Sequence, residues 1–185
     1  MSVSDSSPVS PVSQNPALLR FWRLALVASV VLWLAMIAGN VALYAVHPAR
    51  HWPVLESVET LQVASLIPVA LILHQLNRRT MLSRLITTIS IGAMVAGVAI
   101  DLGFVTERLT FGQGPIGGPV FFIVWVVVLG WLLGANAVAW RQRTLPRGVA
   151  ALGMATAATA TLLYPVWALR LQRVLELATH MHASD

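Results

Sequence analysis

What most constrains this chain is where its charges are missing. Residues 24–46, 60–77, 85–105, 118–140 and 148–169 form five long apolar windows, most of their ends set by a flanking Arg, Glu or His, and Asp101 alone interrupts the third. A charge at the bilayer centre costs at least ~2.5 kcal/mol, so charges mark where spans end. Each window approaches or exceeds the ~20 residues that a helix needs to cross a ~30 Å hydrocarbon core. Transmembrane strands would instead alternate in segments of about ten residues. The expected fold is all-α, a polytopic transmembrane bundle of five helices, with Pro68 kinking the second.

Composition agrees: 57% of the 185 residues are apolar and 10% charged, against about 25% charged in a soluble domain. The Ser/Pro-rich residues 1–17 are expected to be a disordered tail, 18–172 the membrane domain, and 173–185 a short interfacial or frayed tail. The first span is too long for a signal-peptide core and is expected to be retained. All twelve basic residues are Arg, and they sit in small clusters between spans rather than in the dense basic face that nucleic acid requires. No nucleic-acid partner is expected.

The positive-inside rule sets the orientation. Eight Arg (20, 23, 78, 79, 84, 141, 143 and 147) lie at one set of span ends, and Arg50, Arg108, Arg170 and Arg173 lie at the other. The N-terminus is therefore expected in the cytoplasm, and five spans would leave the C-terminus outside.

Depth along the helices suggests where a site could be. At 1.5 Å per residue, Asn40, Asp101 and Tyr164 each stand 17 positions beyond an inner Arg, and Glu59 and Gln62 approach that level from the other direction. A layer of Asn40, Glu59, Gln62, Asp101 and Tyr164 is the expected ligand-binding site, since ionisable groups within spans usually serve function. A thinner inner layer holds His74 and Asn136.

Other chemistry is poorly supported. Zero Cys removes disulfides, thiolate metal sites and Cys nucleophiles. His47 and His51 are separated by Pro48, His180 and His182 lie near the chain end, and His74 has no second His at its depth, so neither metal nor haem is expected. The Gly-rich stretch 112–119 lacks the Lys and Ser/Thr of a phosphate loop and reads as a flexible connection. No catalytic pattern is present and no cofactor is expected.

Small residues four apart supply close helix packing. Ala35 with Gly39, Gly92 with Ala96, Ala93 with Gly97, Gly153 with Ala157, and Gly130 with Gly134 are such pairs. Most are expected to act within one bundle, with Gly130 and Gly134 the best candidates for a homodimer seam.

An Arg-led first span (Arg20 to Arg23), a second ending in Asn77-Arg78-Arg79, and a Leu145-Pro146-Arg147 turn leading to Leu152-Gly153 together resemble a group of uncharacterised bacterial integral membrane proteins classed only as a domain of unknown function. That resemblance implies a compact multi-span bundle and assigns no activity. The functional expectation is a non-enzymatic bacterial inner-membrane bundle that binds a small ligand or lipid, or serves as an accessory subunit beside other membrane subunits. The alternative is a small transporter or channel using the outer polar layer.

Overall fold

The computed structural model describes residues 16–46, 53–77 and 80–182, and the described residues form helices joined by short turns. In chain order these are α1 (Pro16–Val46), α2 (Pro53–Asn77), α3 (Met81–Val105), a π-helical turn (Ile116–Val120) running into α4 (Phe121–Gln142), α5 (Arg147–Ala158) and α6 (Tyr164–His182). Four segments are long and apolar enough to cross a membrane: Arg20–Leu43, Glu56–Asn77, Met81–Val105 and Ile116–Gln142. Leu24, Val31, Val41, Val95 and Val126 are exposed along these helices, an apolar surface suited to lipid and costly in water.

Local chemistry explains the ends. α1 begins on a proline, whose missing N–H costs nothing in a first turn. α2 passes through Pro68 as one helix, with the carbonyl four residues earlier losing its donor. Thr80 caps α3, its hydroxyl accepting from the Ser83 amide at 3.2 Å. α4 ends where Arg143 takes a left-handed conformation, and Pro146 then leads into α5.

Consecutive helices pack side by side from α1 to α5, and α6 returns to α1. The core between them holds Trp22, Leu26, Leu73, Trp131, Trp167 and Leu171.

The expected fifth span, 148–169, is not one helix. α5 stops after 12 residues, about 18 Å, well short of a ~30 Å core. Ala160 and Thr161 are then left-handed, and the chain reverses. Pro165 adds to the break, since it has no N–H for the carbonyl four residues back and its ring would crowd it. α6 descends antiparallel to α1: Trp33 donates to the Thr161 hydroxyl at 3.2 Å, the Tyr164 hydroxyl donates to Ser29 at 2.8 Å, and Arg23 pairs with Glu176 at 2.8 Å. α6 therefore ends beside the start of α1. It also crosses the expected domain boundary at 172, with Leu175 buried beyond it.

The expected N-terminal tail lies outside the described residues except for residues 16 and 17, which open α1, and His47 and His51 also lie outside them. The side chains of His180 and His182 lie outside them too.

Candidate functional site

Two helices, α2 and α3, bring acidic groups to the end of the bundle away from the Arg clusters, and α1 adds an amide. Glu56 and Glu59 stand one turn apart near the start of α2. Asn40, near the end of α1, donates to the Glu59 carboxylate at 3.2 Å and uses the same amide nitrogen to reach the Met36 carbonyl at 2.9 Å. Asp101, on the last turns of α3, is buried and interacts electrostatically with Glu59 and Glu56. Like charges at these positions repel one another. Gln62, one turn below Glu59, is buried, and its Oε1 has no hydrogen-bond partner.

Among the described residues, no three His, Cys, Asp or Glu side chains converge closely enough to hold a metal ion.

Tyr164 does not belong to this layer. It is buried in the core, bonded to Ser29 and packed at 5.7 Å against Trp167. Ser29 precedes Asn40 by 11 positions, about 16 Å of helix. The depth assigned from Arg147 assumed a helix that ends at Ala158. Glu176, expected on the outer side, stands instead with Arg23 at the opposite end.

Nor do His74 and Asn136 form a site together. The fully buried Asn136 accepts from the Trp167 indole at 3.2 Å and donates to the Leu132 carbonyl at 2.8 Å, tying α4 to α6. A Cβ on Gly153 would collide with the Asn136 amide, so only glycine lets α5 approach. His74 is half-buried with Nδ1 unpartnered.

Sequence reasoning overlooked a second polar join. Asn77 donates to the Ala135 carbonyl at 2.9 Å and accepts from the Thr144 hydroxyl at 2.6 Å, fastening α2 to α4 and its following turn. A buried Asn closing an apolar helix just before two Arg was the available signal.

At the acidic end, the connection from α3 to α4 is anchored rather than loose. Phe111 stacks edge-on with Phe104 and Phe121 at 6.0 and 5.4 Å. The Gly112 amide donates to the Gly117 carbonyl at 2.7 Å, and Gly117 sits so close to the Thr110 carbonyl that a Cβ would not fit. Of the proposed dimer pair, Gly134 faces Ile86 of α3 while Gly130 meets open space.

No protein-family model matches the chain, and comparisons with curated proteins and with solved structures find no match.

Proposed function

We propose that this chain is a non-enzymatic bundle of a bacterial inner membrane that binds a small ligand through a cationic, ammonium-type group at its acidic end. In this reading it crosses the bilayer four times, and α5 and α6 dip in and return on the N-terminal side. Among the described residues, eight of the nine Arg then lie at one end, with Arg108 at the other, a stronger asymmetry than five spans would give. By the positive-inside rule that end is cytoplasmic, and the acidic site faces outward. In the same reading it serves as a binding or accessory component of a larger membrane assembly.

The observation that carries the reading is the Asn40–Glu59 bond joining α1 to α2 at the end of the bundle where Asp101 lies buried on α3. A cation relieves the repulsion among three carboxylates, and a low-dielectric setting strengthens its attraction. The unpartnered Gln62 oxygen beneath them adds a further acceptor. The buried middle is mostly apolar, with Leu66, Val69, Leu73, Met94, Val128 and Leu132, and its hydroxyls on Ser29, Ser90 and Thr156 bond to carbonyls of their own helices, which favours binding over conduction.

Thermal unfolding of the detergent-purified protein in tetramethylammonium, ethylammonium, sodium and magnesium chlorides of equal ionic strength tests this. At a hundredfold excess over Kd, a bound cation should stabilise the fold by about 2.7 kcal/mol. At least one ammonium salt should exceed sodium, and Asp101→Asn should remove most of that excess while Glu107→Gln leaves it. Equal curves in all four salts, or an undiminished response in Asp101→Asn, would contradict the proposal.

A further inference from the structure

At the opposite end, α1 and α6 enclose a groove of about 330 Å³ lined by Arg20, Arg23, Leu24, Val27 and Gln172. Its polar wall is pre-arranged. Glu176 accepts from Arg23 at 2.8 Å and from the Gln172 amide at 3.1 Å, fixing both donors in place, while Arg20 is exposed. A guanidinium offers five N–H donors in a planar fork, so Arg23 keeps donors beyond those facing Glu176.

The apolar wall continues out of the groove. Leu24, Val27, Val31 and Leu34 follow Arg20 at alternating spacings of four and three, and all four are exposed. That spacing lines up one face of a helix. From Leu24 to Leu34 the stripe runs about 15 Å, half of a ~30 Å hydrocarbon core and so the depth of one leaflet.

From these features we infer that the groove is a binding site for an anionic phospholipid of the Arg-rich leaflet. Its phosphodiester lies between Arg20, Arg23 and Gln172, and an acyl chain lies along Leu24, Val27, Val31 and Leu34. The headgroup wall supplies positive charge and directed donors, and the stripe below supplies a surface that only a hydrocarbon chain would cover. A free anion would use the first and leave the second bare. This inference rests on the membrane placement of α1 and not on the acidic site at the other end.

Native mass spectrometry of the full chain in micelles doped with equal phosphatidylglycerol and phosphatidylcholine provides the test. Phosphatidylglycerol should be retained preferentially. Arg20→Gln, which leaves the Arg23–Glu176 pair intact, should weaken that retention about fivefold, the effect of losing one basic residue beside an anionic lipid. Arg141→Gln, at the same end but outside the groove, should retain it as the wild type does. Equal retention of the two lipids, wild-type retention in Arg20→Gln, or displacement of the lipid by millimolar inorganic phosphate would overturn the assignment.

Discussion

At Gly153 a single methyl group decides how closely α4 and α5 pack. The Asn136 amide occupies the space a Cβ would need, and it is held there by the Trp167 indole and the Leu132 carbonyl. Gly153→Ala should therefore destabilise the bundle by about 1–3 kcal/mol through overpacking. In an Asn136→Ala background the same change should cost clearly less, because the obstructing amide is gone. Thermal unfolding of the double-mutant cycle checks this, and additive losses would show that the two positions do not compete for space. The small-residue spacing at 153 and 157 pointed to close packing without naming its partner. Periodicity reports which residues share a face, but what that face meets depends on the turn between helices.

Among elements, the first four apolar windows corresponded to helices because desolvation of charge limits where a span can end. Their boundaries moved outward: α2 begins at Pro53 rather than 60, so Glu56 and Glu59 lie within it. Depth counting grouped Asn40, Glu59 and Asp101 because α1, α2 and α3 are continuous helices, and it misplaced Tyr164 because α5 is not. Hydropathy could not reveal that break, since Ala160, Leu162 and Leu163 are as apolar as any span. Pro165 and the threonines at 156, 159 and 161 carried the signal. The reversal makes a prediction whose sign separates the two architectures. Ala160 is left-handed at φ 46°, a conformation that costs a non-glycine residue about 1–2 kcal/mol. Ala160→Gly should raise the melting temperature if α5 turns back at this point. Were 148–169 a continuous span, the same substitution would sit inside a helix and lower stability by about 1 kcal/mol.

For the whole molecule, the short α5–α6 pair decides the arrangement of everything else. By returning beside α1 it brings Arg170 and Arg173 towards the end where Arg23 meets Glu176, and it leaves the acids of α2 and α3 at the other. A bundle with oppositely charged ends follows from that one reversal. The absence of native Cys allows it to be tested without background. Ser13→Cys, Gln113→Cys and Ser184→Cys, each as a single substitution, can be labelled with a membrane-impermeant maleimide in sealed vesicles of known orientation. Positions 13 and 184 should react from the same side and 113 from the other. Reaction of 184 together with 113, and opposite to 13, would mean that the chain crosses a fifth time and would contradict the architecture on which both binding sites rest.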